Sequence, residues 1–364
     1  MSSETPFDIL VTGGSGFLGS AIVTALHTQH PTWRISILDQ HAPSPSQLAP
    51  IQHFFRVDIT NRASVFNAFK SYVPDLVLHT AGIIPARQAR YSTSHAAWLR
   101  VREINYEGTV NVLDATLASG CARFVYTSSC TVVIDDMAHD YFRMDEETST
   151  GYATLHYGRS KGLAETYVMS RAGEGKEGPL ICALRPSTII GPEDRAVIPV
   201  MHDLIAKGET SFIVGDGDNV YDFVYIDNIA SAHVLAAENL LPGGKGTAAG
   251  EVFFISNDEP VYFWDFLAYV WVQFGHVPRY RVQIPMWLAW AVAWILECIT
   301  WVTGAEATLT RGSVRDAVRA HFADNEKAKR VLGYEVKVGL AEGVRRSCEG
   351  YKRYLARRAA SSGE

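Results

Sequence analysis

The sequence is poor in cysteine and in positive charge, and it holds no internal repeat and no low-complexity run. Its five cysteines (Cys121, Cys130, Cys182, Cys298 and Cys348) are scattered, and none forms a Cys-x-x-Cys pair. That spacing suggests neither a disulfide framework nor a zinc site, so no metal is expected and a reducing compartment fits. Acidic residues number 39 against 33 basic ones, for a net charge of −6. A nucleic-acid-binding surface would show the opposite balance, so no nucleic-acid partner is expected. The stretch from Met1 to Pro6 is short and polar, and an apolar strand follows at once, so no signal peptide is expected. What the chain does have is size. Its 364 residues, 47% of them hydrophobic, suffice for a large core and for one elaborated domain or two.

The most informative stretch comes first. Phe7 to Thr12 is an apolar run rich in strand formers. Gly13-Gly14-Ser15-Gly16-Phe17-Leu18-Gly19 follows, and Ala21 to Leu26 has helical spacing. Strand, glycine turn and helix in that order are the context a dinucleotide fingerprint requires, whereas a glycine triplet alone is a weak signal. Glycine serves where backbone must lie against a ligand. The helix it opens offers free N–H groups and a positive dipole end to a phosphate. Gly13, Gly16, Phe17, Leu18 and Gly19 are therefore candidate cofactor contacts.

Further strands are expected at Arg34 to Leu38, His53 to Val57, Asp75 to His79, Arg123 to Tyr126 and Leu180 to Leu184, with helical stretches between them. Ala96 to Ser119 reads as one long helix carrying Asn105. This alternation implies an α/β fold, a Rossmann-type doubly wound parallel sheet. Ligands bind such sheets at the C-terminal strand ends, so the residues after each strand are the ones to read. Asp39 closes the second strand, twenty residues after Gly19, where a carboxylate would accept the ribose hydroxyls of NAD and repel the extra phosphate of NADP. Asp58 and Ile59 end the third strand, Ala81 and Gly82 follow the fourth, and Thr127 and Ser129 follow the fifth. Pro186 and Thr188, after the sixth, would face the nicotinamide.

An acidic connection, Asp135 to Glu147, reads as a solvated loop. Gly151 to Ala172 then reads as a helix holding Tyr157 and Lys161, four residues apart and so on one face. A free tyrosine, with a pKa of about 10, is too weakly acidic to serve as a base near neutrality. The Lys161 ammonium and the nicotinamide charge would lower that pKa and make Tyr157 a general base for an alcohol proton. Ser129 would hydrogen-bond the same oxygen. Tyr-x-x-x-Lys occurs once in the chain and is weak alone; its force comes from following the glycine turn, the ribose carboxylate and the serine in that order.

With these residues in place the chain resembles the extended short-chain dehydrogenases and reductases. Thr12 to Gly19 looks like their TGxxGxxG loop, and Ser129, Tyr157 and Lys161 match their catalytic set. Leu184-Arg185-Pro186, Gly191 to Asp194, Gly215 to Asn219, Asp222 to Tyr225, Phe254 to Pro260 with Phe263-Trp264, and Phe322 to Tyr334 are similar to the 3β-hydroxysteroid dehydrogenase family. Within it they are most like the decarboxylating sterol-4α-carboxylate 3-dehydrogenases. Residues Ile84 to Trp98 are longer and more polar than the resemblance leads one to expect, and they border the site. The resemblance implies NAD-dependent oxidation of a ring 3-hydroxyl on a sterol or triterpenoid-like substrate. If a 4-carboxylate is present, CO2 is lost from the resulting β-keto acid.

The expected division is 1–190 as the NAD-binding domain, with 213–258 returning to it, and 191–212 with 259–364 as a smaller, mostly helical substrate lobe. Ile284 to Val302 is almost wholly apolar and carries Trp287, Trp290, Trp294 and Trp301 on one helical face, with Leu288, Val292, Ile295 and Ile299 on another. One reading packs the aliphatic face on the protein and turns the tryptophans to lipid, in a helix lying in the membrane plane. The other makes it a buried helix or a wall of the substrate pocket. The basic tail, from Arg345 to Arg358, reads as a solvated helix. Peripheral membrane attachment, a homodimer, and a place on the cytoplasmic face of the endoplasmic reticulum membrane or in the cytoplasm complete the expectations. Three rival functions stand beside the dehydrogenase. They are a 3β-hydroxysteroid dehydrogenase/isomerase or ketoreductase, a nucleotide-sugar epimerase or dehydratase, and a non-catalytic NAD-sensing module.

Overall fold

The computed structural model describes residues 6–43, 51–173, 178–303 and 309–362. Seven parallel strands form the central sheet. In chain order they are Asp8–Thr12, Arg34–Asp39, Ile51–Arg56, Leu76–His79, Arg123–Thr127, Leu180–Pro186 and Val252–Ile255. Their spatial order is 3-2-1-4-5-6-7. The order reverses between the first and fourth strands, which opens the crevice where doubly wound sheets bind ligands.

The sheet is buried on both faces, and the residues divide by the two-residue period of a strand. Ile9, Val11, Ile35, Ile37, Leu76, Leu78, Val125, Cys182 and Leu184 pack into one core with the helices Phe17–Gln29 and Ile226–Leu240. Leu10, Leu38, Val77, Phe124, Tyr126, Ile181 and Ala183 face the other way, onto Arg62–Ser71, Gly108–Ala118 and His156–Met169. The apolar runs read as strands are thus flanked on both sides. The run Val252–Ile255 pairs with the sixth strand as the outermost strand of this sheet.

Around the C-terminal strand ends sit shorter elements. Val220–Tyr221, Val261–Tyr262, His321–Ala323 and Tyr141–Met144 make a four-stranded sheet. The helices Ile198–Lys207, Phe263–Gln273, Met286–Thr303 and Arg311–Asp316 belong to the same side.

Three local expectations are corrected. The stretch expected as one helix over 96–119 is a helix at His95–Arg102, a π-turn at Glu103–Glu107 and a helix at Gly108–Ala118. The wide turn falls on Asn105, whose side chain faces the crevice loop; π-turns occur often at functional sites. The helix expected from Gly151 starts at His156, because Leu155 is extended at φ −80°, ψ 141°. The acidic connection is not a solvated loop. Asp135 and Asp136 are buried, Tyr141–Met144 is a strand, and Glu146 accepts a hydrogen bond from the Phe254 N–H at 2.8 Å.

The helix Met286–Thr303 lies differently from either reading. Its packed stripe is Ala289 and Ala293, against Val214, Ile284, Leu309 and Val314. The small side chains let the helix sit close to its neighbours. Trp287, Trp290 and Trp294 are exposed, but so are Leu288, Val292, Ile295 and Ile299, so the aliphatic face is not packed on the protein. The side chain of Trp301 lies outside the described residues. Among the described residues no helix is long and apolar enough to cross a membrane.

Candidate active site

A single cleft of about 1620 Å³ runs from the glycine turn, over the strand ends, to Trp264 and Leu309. At its first end the turn is shaped by contacts that only glycine permits. Gly13 has φ +70°, and a Cβ there would come within 2.8 Å of the Ala81 backbone. A Cβ on Gly19 would come within 2.1 Å of the Gly13 carbonyl oxygen. The helix that follows starts at Phe17 with no side-chain cap, so its first N–H groups are left to a ligand. Asp39 stands beside this turn. Its Oδ2 accepts from the Ser15 N–H at 3.1 Å and its Oδ1 from the His41 N–H at 2.9 Å, which fixes the carboxylate at the cleft edge. Asp58 accepts from the Thr60 N–H and hydroxyl, both at 2.9 Å, and turns the chain so that Ile59 lines the cleft. A bare helix N-terminus facing a glycine cradle, with a carboxylate where a ribose would lie, fits a dinucleotide without a 2′-phosphate.

Asn105 holds the loop after the fourth strand. Its Oδ1 accepts from the Ile83 N–H at 2.8 Å, and its Nδ2 donates to the Ile83 carbonyl at 3.0 Å and the Ser160 hydroxyl at 3.1 Å. A side chain at Gly82 would run against that amide oxygen. Asn105 thus ties the Ala81–Gly82 wall to the helix bearing Tyr157 and Lys161. Pro186 and Thr188 line the same cleft.

Ser129, Tyr157 and Lys161 meet in the middle of the cleft, all buried and all lining it. The Ser129 hydroxyl stands beside the Tyr157 phenol and favours its ionised form. The Lys161 ammonium donates to the Thr127 carbonyl at 2.5 Å and lies 4.4 Å from the Tyr126 ring centroid. The Thr127 hydroxyl bonds His233 at 2.7 Å, so this strand end is anchored from behind. Further back, the buried Glu165–Arg185 pair (2.6 and 2.9 Å) accepts the Ser128 hydroxyl at 2.6 Å.

The electrostatics differ from the expectation. Burial pushes the Tyr157 phenol up to about 12, against the neighbouring Ser129 hydroxyl and the charge of Arg90, which favour its ionised form. Burial also pushes Lys161 down to about 7, against the charge of Glu165. Lys161 spends its hydrogen bond on Thr127, and the cation over the Tyr157 ring is Arg90, its guanidinium carbon 5.4 Å from the ring centroid. Arg90 lies 67 positions before Tyr157, in the polar stretch 84–98, and no motif spacing links the two; only the fold brings them together.

A model of the 3-beta hydroxysteroid dehydrogenase/isomerase family matches residues 10–286. The chain is 32% identical to a decarboxylating sterol-4-alpha-carboxylate 3-dehydrogenase of Schizosaccharomyces pombe, over 94% of this chain and 97% of that protein. It is 31% identical to a 3beta-hydroxysteroid-dehydrogenase/decarboxylase of Arabidopsis thaliana, over 97% of this chain and 82% of that one. Among solved structures it resembles an epimerase of Methanothermobacter thermautotrophicus, with TM-score 0.73, 21% identity and coverage of 96% and 94%. It also resembles the Thermus thermophilus UDP-glucose 4-epimerase in complex with NAD, with TM-score 0.69, 22% identity and coverage of 94% and 98%. These two likenesses speak for the fold.

Proposed function

The chain belongs to the 3-beta hydroxysteroid dehydrogenase/isomerase family, and from that footing we propose that it is an NAD-dependent dehydrogenase of a sterol or triterpenoid-like ring 3-hydroxyl. The proposed substrate carries a carboxylate on the neighbouring ring carbon, as the name of the Schizosaccharomyces pombe relative indicates for its own. The observation that carries the reading is the convergence of Ser129, Tyr157 and Lys161 in one cleft with the glycine turn and Asp39.

Gly13, Gly16, Phe17, Leu18 and Gly19 would hold the pyrophosphate, Asp39 the adenosine ribose, and Asp58 and Ile59 the adenine side. Ala81, Gly82, Asn105, Thr127, Pro186 and Thr188 would form the wall further along. NAD, when bound, supplies the hydride acceptor. Tyr157 takes the substrate hydroxyl proton, and Ser129 fixes the oxygen that gives it up. Lys161 would hold the nicotinamide ribose. Oxidation turns the substrate into a β-keto acid. As the bond to CO2 breaks, its electron pair passes into the ketone to give an enolate, which takes a proton from water at the carbon that lost CO2, so the carbon loss needs no further protein group.

The test is to incubate the protein with NAD and a 3-hydroxy-4-carboxysterol and to follow NADH and CO2 together. Equal amounts of both are expected. NADH without CO2 would remove the decarboxylating part, and neither product, with NAD tightly bound, would favour the sensing module. Peripheral membrane attachment through Met286–Thr303 is part of the proposal. It is supported by the exposed tryptophan and aliphatic side chains of that helix.

A further inference from the structure

We propose that Arg90 is a positioning residue for Tyr157, holding the ring and supplying the positive charge that its phenolate faces. Arg90 sits in the short helical turn Arg87–Tyr91, and its side chain is only 17% exposed. Its guanidinium grips Asp135 with two hydrogen bonds, one through Nη1 at 2.8 Å and a shorter one through Nη2. This fork-to-carboxylate geometry fixes a plane as well as a distance. Asp135 in turn accepts from the Gly158 N–H at 2.8 Å, the peptide next to Tyr157. A Cβ on Gly158 would come within 2.5 Å of the Asp135 carboxylate, so the glycine lets the pair close on the helix start. Arg90, Asp135 and the first turn of the catalytic helix are thereby one unit, with the Tyr157 ring under the guanidinium.

The segment reaches the substrate side as well. Tyr91 donates to Asp316 at 2.7 Å, and Arg87 pairs with Asp203 of the helix Ile198–Lys207 at 2.6 Å. Asp316 also accepts from Tyr221 and Arg319, and its charge bears on Arg90. The groups that face Tyr157 are Ser129, Arg90, Cys130 and Asp135, with the Tyr126 phenol behind and Lys161 one turn on. Those that face Arg90 are Asp135, Asp316, Tyr91 and His321. The Arg90 charge favours the phenolate, and Asp135 opposes it more weakly. A nearby opposite charge favours the ionised form and lowers a pKa. This role of Arg90 rests on Tyr157 being the base, whereas the titration of the Tyr157 phenol reads Arg90 directly.

The direct measurement is a fluorine NMR titration of the full chain with 3-fluorotyrosine in place of Tyr157. In Arg90→Gln the apparent pKa should rise by on the order of one unit. Arg90→Lys, which keeps the charge, should titrate near the parent. Arg90→Gln leaves Asp135 buried and unpaired, which threatens folding. The double variant Arg90→Gln, Asp135→Asn removes both charges and should still show a rise, though a smaller one. A pKa unchanged in both, with cooperative melting intact, overturns the proposal. So does an equal rise in the Lys and Gln variants, since the charge would then not be the cause. The high-pH side of the turnover profile should move with the titration. If the titration moves and turnover does not, Arg90 acts on Tyr157 as proposed and it is the assignment of the base that fails.

Discussion

At the residue scale the proposed chemistry depends on one hydroxyl held in an unfavourable place. Tyr157 is buried, and burial drives its phenol up to about 12 even against the neighbouring Ser129 hydroxyl and the Arg90 charge. A base must be without that proton near neutrality, so the groups opposing burial matter: the Ser129 hydroxyl, the Arg90 charge and, in the complex, the nicotinamide. Tyr157→Phe removes one oxygen and keeps the ring. Turnover should fall by roughly 10²–10⁴-fold while NAD affinity, measured by calorimetry, changes little. Near-parental turnover would remove Tyr157 from the mechanism. Asp39 makes a second prediction at this scale. Its carboxylate is fixed by the Ser15 and His41 N–H groups at the cleft edge, where it would meet the 2′-phosphate of NADP. The protein should use NAD in preference to NADP, and Asp39→Ala should narrow the gap in kcat/KM. Equal or better use of NADP by the parent would show that Asp39 does not read the ribose.

At the element scale two helices separate cleanly by what they bury. The helix after the glycine turn buries Ile22, Val23 and Leu26 against the sheet and crowds Gly19 onto Gly13. Gly19→Val should abolish NAD binding, since even a Cβ has no room at 2.1 Å from the Gly13 oxygen; binding that survives would mean the turn is not the pyrophosphate site. The helix Met286–Thr303 does the reverse. It buries two alanines and leaves Trp287, Trp294, Ile295 and Ile299 at least half exposed. No residue of this helix lines the cleft among the described residues, so the pocket-wall reading finds no support there. A patch this apolar is costly in water. Replacing Trp287, Trp294 and Ile295 by serine should release the protein from sterol-containing vesicles in a flotation assay and leave its melting temperature nearly unchanged. Unaltered flotation would detach this helix from the membrane proposal.

The whole molecule carries three buried neutral imidazoles. Burial pushes His79 down to about 3, and His233 and His321 to about 4. Each joins parts of the fold. His79 bonds Thr12 at 2.6 Å and Thr109 at 2.9 Å, His233 bonds Thr127, and His321 lies in the small sheet beside Tyr221. In the unfolded chain these groups take a proton near 6.5. Between that pH and about 4 the unfolded chain binds more protons than the folded one, so stability falls as pH drops through this window. Asp222, pushed up to about 6 by burial, works in the opposite sense below that pH, and burial raises Asp135, Glu146, Asp194 and Asp227 as well, so these carboxyls oppose the histidines towards the acid end. Melting temperature should therefore decline from pH 6.5, most steeply above about pH 6, before these carboxyls take up protons. His79→Asn should flatten the slope; a melting temperature independent of pH over that range would contradict the buried neutral state of these histidines.

Patterns along the chain were enough to read the sheet, the glycine-turn end of the cleft and the Tyr157–Lys161 pair. All of these are local: a strand's two-residue period, a glycine triplet between strand and helix, and a four-residue step on one helix face. Even the return of Val252–Ile255 to the sheet was legible as an apolar run with strand formers. The tertiary structure decided what sits beside those residues. That Asp135 is buried under Arg90, and that Lys161 turns to Thr127 while Arg90 stands over Tyr157, follows from segments that lie far apart in the chain and meet only when the two sides of the cleft close. The π-turn at Asn105 was hidden for the same reason. Its amide is held by Ile83 and Ser160, partners 22 and 55 positions away, and helical periodicity carries no trace of either. A period reports which face of an element is buried; it does not report which polar groups from elsewhere that face will meet.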